Sequence, residues 1–562
     1  MTAAQEPLWV KHYQPGVPAE IELPTESLTA MVEDAAKRFG PNVALEFFGA
    51  ETTYAELGDQ INRAAEGLRR LGVRHGHRVA IILPNCPQYL IAFYAVLRLG
   101  GVVVGHNPLY TERELRHQFE NHGAQVAVVW DKAVAKVQDF PDDVAVPNII
   151  AVDITKAMPR LKQIGLRLPV PSLRRTRAGL TTKTENTIPW EKLLASPPID
   201  PLHPKPAVTD LAALQYTSGT TGMPKGVMLT HYNLRSNALQ GQAWMHGAQE
   251  GKEVIYGVLP MFHAFGLTLY LTFAMLTGSR LVLFPKFDVD LVLAAAKKSR
   301  PTVFCAVPPI YEKVAIESKE RGIDISTIRY AISGAMTLPS RTVELWEEVS
   351  GGLLVEGYGL TESSPVALGN PFAETRRNGT IGIPFPSTRM RVVDPEDVSR
   401  EVPQGEPGEL LISGPQVFAG YWNNPEETGE ILTPDGWLRT GDIVTVDEDG
   451  FVTVVDRRKE LIITGGFNVS PSEVEEVLRS SQDVADAAVI GLPGKGGSEQ
   501  VVAAVVLQPD TELDEAALRA YCRERLTPYK VPRRIVAIEE LPKSMLGKVL
   551  RRQVRESLKD SI

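Results

Sequence analysis

The chain has 562 residues, 43% hydrophobic and 23% charged, with 59 Lys+Arg against 68 Asp+Glu and a formal net charge of −9. That balance excludes a disordered, collagenous or small disulfide-scaffold protein, suggests roughly two to four domains, and argues against general nucleic-acid binding. Cys86, Cys305 and Cys522 are too few and too scattered for a disulfide framework or a zinc site, so a reducing cytosol is the expected compartment, and the opening MTAAQEPLWVKHYQPG has no apolar core of a signal peptide.

Taken in chain order, residues 27–39 show the apolar spacing of a helix. Thr53 with Glu56 forms a capping-box pattern that opens a helix ending near Gly72. Residues 79–83 read as a strand, 87–99 as a buried helix and 102–104 as a strand. Thr111 with Glu114 opens another capped helix, and 126–130 reads as strand. Such alternation predicts an α/β fold with a parallel, helix-covered sheet, which places ligands at the carboxyl ends of its strands.

Residues 154–184 break that rhythm with eight Lys/Arg, no acid, and Pro159, Pro169 and Pro171, which forbid one long helix. Two readings stand: a solvated basic loop, or a contact with anionic lipid headgroups, to which each basic residue contributes about 1 kcal/mol. Residues 254–279 carry no Lys, Arg, Asp or Glu. The stretch is long enough to span a bilayer, but Pro260, His263 and its glycines predict a buried strand and loop followed by a core helix. From Asp447 onward, strand 451–455, helix 472–479, strands 487–490 and 501–507, helix 514–526 and a basic tail suggest a compact α+β domain of about a hundred residues.

Four motifs carry chemistry. The run YTSGTTGMPKGV at 216–227 surrounds Lys225 with three glycines and four hydroxyls, an arrangement suited to cradling phosphate whose spacing is not that of a Walker A loop. EGYGLTE at 356–362 follows an apolar run and offers an aromatic face, a Thr hydroxyl and a carboxylate suited to Mg²⁺; Gly-Tyr-Gly is equally readable as a turn. RTGD at 439–442 places Asp442 where it accepts ribose hydroxyls or simply forms a turn. PKSMLGKVLRR at 542–552 reads as a solvated basic face or as a carrier of one functional lysine, Lys548.

Together with PMFHAFG at 260–266 and DRRKELIITGGFNVSPSEVE at 456–475, these motifs resemble, in order and along the whole chain, the adenylate-forming superfamily of acyl- and aryl-CoA synthetases, luciferases and adenylation domains. HNPLYTERELRHQ at 106–118, LVEGYGLTE, GPQVFAGYW at 414–422 and the opening WVKHYQPGVPAEIELP are most similar to bacterial long-chain fatty-acid–CoA ligases. The resemblance implies a large N-terminal, multi-subdomain α/β domain with helix-covered sheets over 1–458, and a small mobile α+β domain over 459–562 that carries Lys548. It implies ATP, Mg²⁺ and coenzyme A, and activation of a fatty acid through an acyl-adenylate before transfer to the CoA thiol.

By the same resemblance, Tyr216, Thr217, Ser218, Gly219, Thr220, Thr221, Gly222 and Lys225 would hold phosphates. Thr361 would touch phosphate and Glu362 would hold Mg²⁺. Gly334, Ala335 and Tyr358 would border the adenine, Gly357 and Gly359 would also bind ATP, and Asp442 with Arg457 would bind ribose. Lys548 would bridge the attacking carboxylate and the α-phosphate, Lys459 would be the hinge, and Gly465, Gly466 and Phe467 would meet CoA. Lys548, Glu362, Thr361 and His263 would be the catalytic residues, and His263 with Phe265, Gly266, Leu267 and Val307 would line the acyl pocket. Some long-chain members carry a tryptophan gate where this chain has Leu267. The absence of charge between Glu253 and Arg280 suits an aliphatic acid, since each buried CH₂ contributes roughly 0.8 kcal/mol. Alternatives are a medium-chain or aryl-acid CoA ligase, a fatty-acyl-AMP ligase, and a non-catalytic ATP-binding scaffold. Partners are thus the fatty acid, ATP and CoA, with no nucleic acid; a homodimer and a peripheral contact at the inner face of the cell membrane are further expectations for a cytoplasmic protein.

Overall fold

The computed structural model describes residues 7–217, 224–457, 460–464, 467–493, 499–544 and 547–559. Two large sheets organise the first 450 residues. A seven-stranded sheet runs in the order Ile188–Pro189, Asn148–Val152, Val126–Trp130, Arg78–Ile82, Val102–Gly105, Leu211–Thr217, Lys225–Thr230. Its first six strands are parallel, and the last pair forms an antiparallel hairpin. A nine-stranded sheet has a parallel centre from Leu354–Gly359 through Tyr330–Ser333, Val303–Ala306, Val254–Gly257 and Arg280–Leu283 to Val43–Phe47, with antiparallel strands at both edges. The expected parallel sheet is therefore present twice, with an antiparallel pairing at one edge of the seven-stranded sheet and at both edges of the nine-stranded one.

Local sequence explains the helices that cover these sheets. Both expected capping boxes form: Thr53 and Glu56 close the start of Tyr54–Arg70, and Thr111 and Glu114 that of Glu112–His122. The helix Pro87–Arg98 begins with proline at its first position, where no N–H is missed. All twelve of its residues are buried, because it packs between strand Val43–Phe47 of one sheet and strands Arg78–Ile82 and Val102–Gly105 of the other. An apolar all-round helix belongs in such a place.

The charge-free stretch is a strand, Val254–Gly257, then a loop and three short helical pieces: Ala264–Gly266, the π-helical Leu267–Phe273 and Ala274–Leu276. Asn85 pins its loop by donating to the carbonyls of Gly257 (3.0 Å) and Leu259 (2.7 Å) and accepting from the Met261 N–H (2.9 Å). Among the described residues no helix is long and apolar enough to cross a membrane.

Beyond the large sheets, Arg389–Val393, Gly408–Ser413, Leu438–Val446 and Val452–Arg457 form an antiparallel four-stranded sheet. Residues 462–558 build two hydrophobic clusters of their own, one on each face of a sheet made of Val484–Pro493, Glu499–Leu507 and Arg534–Ala537. The main cluster draws on Tyr13 to Val452.

Four local expectations are corrected. Gly-Tyr-Gly is not a turn: it continues the strand Leu354–Gly359, paired with Val366–Gly369. Asp442 lies inside the strand Leu438–Val446, because its neighbours alternate into a ladder that a four-residue reading does not see. The basic tail ends in a helix, Arg551–Leu558, whose Arg551 is ion-paired with Glu475 and Glu460. The basic excursion is not a plain loop but holds two helices, Arg160–Gly165 and Pro171–Leu180, divided at its prolines.

Candidate active site

The run at 216–227 includes the ends of the two strands Leu211–Thr217 and Lys225–Thr230, whose ladder runs to the register pair Thr217 and Lys225. Ser218, Gly219, Thr220, Thr221 and Gly222 lie outside the described residues. The base of the hairpin is braced from three sides. The Tyr216 hydroxyl donates to Asn121 Oδ1 at 2.6 Å. Residues 420–422 run alongside, with the Trp422 N–H on the Gly226 carbonyl (2.7 Å) and the Met228 N–H on that of Gly420 (3.0 Å). Trp422 Nε1 in turn donates to the Asn121 carbonyl at 3.2 Å.

Lys225 is held in this frame. Its ammonium stands 2.8 Å from Glu427 Oε1 and 5.0 Å from the Tyr421 ring centroid. The same Tyr421 donates its hydroxyl to Glu362 Oε1 at 2.7 Å. Burial, and then the Glu362 carboxylate, push that phenol well above the usual tyrosine range, so it stays a donor. One aromatic residue thus links the loop lysine to the carboxylate expected to meet a metal. Neither Tyr421 nor Glu427 is legible from motif spacing, because both act on partners distant in sequence.

Glu362 and Thr361 sit in the short 3₁₀ turn Thr361–Ser363 that follows Leu354–Gly359. Gly359 is obligatory here: a Cβ would lie 1.8 Å from the Pro365 carbonyl oxygen. Tyr358 donates its hydroxyl to Asp442 Oδ2. Asp442 is 2% exposed and faces Arg457 in the register of the neighbouring strands. Glu356, one strand turn earlier, is buried and accepts from the Leu338 N–H at 3.2 Å; burial raises its carboxyl to about 8, so it is largely protonated at neutral pH.

Gly334 and Ala335 follow the strand Tyr330–Ser333, with Ala335 at φ 65°. The edge of Phe265 closes on this corner, 3.0 Å from where a Gly334 Cβ would stand. His263 Nδ1 accepts from the Phe265 N–H (3.3 Å), and burial lowers its pKa to about 4, leaving a neutral imidazole. Gly266 packs against Pro260, whose carbonyl oxygen leaves only 2.1 Å for a Cβ. Leu267 is buried at the start of the π-helix, and Val307 caps Pro308–Arg321. Gly334 and Phe265 thus bring together the expected adenine and acyl sides.

The Lys548 turn meets this same corner. It is closed by the Ser544 N–H on the Lys548 carbonyl (2.7 Å) and the Lys548 N–H on Ser544 Oγ (3.1 Å). A Cβ on Gly547 would stand 3.4 Å from Met336 Sδ and 3.9 Å from Pro309 Cγ. Residues 547 and 548 therefore lie beside the segment that begins at Gly334. Lys459, Gly465 and Gly466 lie outside the described residues, as do the side chains of Arg457 and Phe467. A surface hollow of about 270 Å³ lined by Trp9, Met390, Val392 and Val446 contains none of these residues.

Among the described residues no three His, Cys, Asp or Glu side chains gather into a metal cage. A lone Glu362 carboxylate, with one oxygen engaged by Tyr421, fits Mg²⁺, which binds through one or two carboxylates and completes its shell with waters and substrate phosphates.

Residues 32–422 match the family model described as AMP-binding enzyme, and 473–548 match the model described as AMP-binding enzyme C-terminal domain. The chain is 39% identical over 561 residues to a long-chain-fatty-acid–CoA ligase of Bacillus subtilis (strain 168), covering 98% of each. It is 38% identical over 558 residues to a long-chain-fatty-acid–CoA ligase of Yersinia pestis, again covering 98% of each. Among solved structures it is similar to ATP-bound MatB from Rhodopseudomonas palustris, with a TM-score of 0.81 at 30% identity over 96% of this chain and 100% of that one.

Proposed function

The chain belongs to the AMP-binding enzyme family, and from that premise we propose that it is an acid–thiol ligase acting on a fatty acid, of long chain, with ATP and coenzyme A. A carboxylate oxygen attacks the α-phosphorus of ATP and the bond to pyrophosphate breaks. The CoA sulfur then attacks the acyl carbonyl and AMP leaves. The observation that carries the reading is the seating of the Lys548 turn against Met336 and Pro309. It brings residue 548 beside the corner where the expected adenine and acyl residues meet, which supports a role for its cation between the two anions that react there.

In this reading the 216–227 hairpin holds the β- and γ-phosphates, with Lys225 supplying positive charge. Tyr421 and Glu427 keep Lys225 and Glu362 in place. Thr361 touches phosphate. Bound Mg²⁺ would neutralise phosphate charge at Glu362. Gly334, Ala335 and Tyr358 border the adenine, Gly357 and Gly359 also bind ATP, and Asp442 and Arg457 take the ribose. Positioning and preorganised charge then do most of the catalysis. His263, being neutral, shapes the acyl site rather than pairing with the carboxylate, and Phe265, Gly266, Leu267 and Val307 supply its apolar wall.

The division at 458/459 is part of the proposal. The separate hydrophobic clusters over 462–558 support it, and with it a hinge at Lys459 that withdraws Lys548 so that Gly465, Gly466 and Phe467 can meet CoA. The proposal extends to a homodimer, which sedimentation of the full chain tests. It extends also to a cytoplasmic protein that touches the inner face of the cell membrane through 154–184.

The test is a panel of acids of increasing chain length, with aryl acids alongside, supplied with ATP, Mg²⁺ and CoA and followed for AMP and thioester. Thioester formation fastest with long aliphatic acids is expected. Preference for aryl or medium-chain acids would overturn the substrate, and AMP-ester without thioester would overturn the second step.

A further inference from the structure

Among the described residues, eleven large hydrophobic side chains are exposed, and four of them fall within ten positions: Leu161 (84%), Ile164 (60%), Leu168 (49%) and Val170 (42%). They lie on the helix Arg160–Gly165 and on the link to Pro171–Leu180. Such a concentration on an otherwise charged surface marks a place of contact.

The surrounding charge is of one sign. Residues 154–184 carry +8 in a chain of net −9. Two of these cations are engaged: Lys156 pairs with Glu191, and Lys162 donates to the Phe48 carbonyl. Arg160, Arg167, Arg174, Arg175, Arg177 and Lys183 form no ion pair among the described residues. The segment is tied down at both ends. Gln163 Nε2 donates to the Met158 carbonyl (2.8 Å), Trp130 Nε1 to that of Leu180 (2.9 Å), and Lys132 to that of Ala178. With Leu166 buried in the main core between them, Leu161, Ile164 and Leu168 stay on the exposed side of a built element.

We propose that this element inserts its exposed Leu161, Ile164 and Leu168 into the interface of an anionic lipid bilayer, with the six cations that form no ion pair at headgroup level. The inference rests on the membrane contact proposed above and adds a mechanism to it. Charge alone gives a loose, salt-sensitive encounter. A short apolar face together with a basic cluster supplies the two signals that stable peripheral binding needs. A nucleic acid would satisfy the arginines but leave the leucines and isoleucine in water. A bilayer satisfies both.

The experiment is flotation of the full chain with phosphatidylcholine vesicles, with or without about a third phosphatidylglycerol, at low and high salt. Two triple variants accompany it: Leu161→Ser/Ile164→Ser/Leu168→Ser, and Arg174→Glu/Arg175→Glu/Arg177→Glu. Ligase activity on a short, soluble acid should be unchanged in both, which shows that they fold and keeps the outcome separate from the enzymatic reading. The wild type should bind anionic vesicles at least about tenfold better than neutral ones and retain part of that binding at high salt. The serine variant should lose the salt-resistant part, and the glutamate variant should lose nearly all. In Ile164→Trp, brominated acyl chains should quench the new indole. Serine-variant binding equal to wild type, with no quenching, would overturn insertion while leaving a headgroup contact standing. Unchanged binding by both variants would overturn the membrane contact altogether.

Discussion

Lys225 sits in a strand with its ammonium 2.8 Å from Glu427 and over the Tyr421 ring, whereas Lys548 sits in a turn that meets the larger region through Gly547, Met336 and Pro309. The first is fixed by a ladder, a carboxylate and an aromatic face, all continuous with one core that extends from Tyr13 to Val452. The second belongs to a region whose clusters draw on 462–558 alone. The charge proposed to hold phosphate is thus built into the main scaffold, and the charge proposed to bridge the reacting anions is carried by a region with cores of its own.

The sharpest way to break this comparison is Lys548→Ala. Acyl-adenylate formation should fall by roughly 10²–10³, while thioester formation from pre-made acyl-adenylate stays near wild type; equal loss of both half-reactions would overturn a role for Lys548 confined to the first. Gly359→Ala comes next. The Pro365 carbonyl leaves no room for the methyl, so a loss of about 3 kcal/mol in chemical denaturation is expected, and a wild-type midpoint would show that the turn carrying Glu362 is not tightly fixed.

Arg551 tests the other side. It bonds Glu475 at 2.8 Å through both Nε and Nη2, donates to Ser472 Oγ and pairs with Glu460, which joins the helix after Lys548 to the start of the small region. Arg551→Leu leaves the buried Glu475 carboxylate with only the Val489 N–H at 2.8 Å and a distant Arg479 at 3.9 Å, and should cost about 3 kcal/mol. It should also slow adenylation about tenfold without changing ATP affinity; a raised Kd for ATP would contradict the separation of the two regions. Glu427→Gln should do the reverse, raising KM for ATP about fivefold through the loss of one charge-assisted contact, with the thioester step untouched.

The smallest effect concerns Glu356. Its folded pKa of about 8 lies above the unfolded value of 4.5, so its contribution to stability is complete below pH 4.5 and is lost as pH rises through 8. Glu356→Gln should flatten that part of the profile of melting temperature against pH, and an unchanged slope would show that another group titrates there.

Much of the architecture was legible because its causes are local. Thr53 with Glu56 and Thr111 with Glu114 announce their helices through contacts three residues apart, and the apolar run 87–99 can belong only inside. The π-helix Leu267–Phe273 was not legible, since its sequence LTLYLTF alternates leucines with Thr and Tyr and carries no pattern that separates a π-helix from other buried structure. Asp442 misled in the opposite sense: RTGD has turn-forming composition, yet its strand is dictated by the neighbours at Gly408–Ser413 and Val452–Arg457. Tyr421 and Glu427 escaped because no short motif encodes a pairing with Glu362 or Lys225.

The Asn121 brace carries a consequence for synthesis. Its carbonyl receives Trp422, 301 positions downstream, and its side chain receives Tyr216, 95 positions downstream. A nascent chain that has emerged only as far as Thr230 owns the hairpin and the Asn121–Tyr216 bond but not the residues that steady Lys225. At about 5–20 residues per second, roughly ten to forty seconds of translation separate the hairpin from its counter-carboxylate. Lys225 thus meets its bracing residues late in synthesis, and the Lys548 turn is made later still.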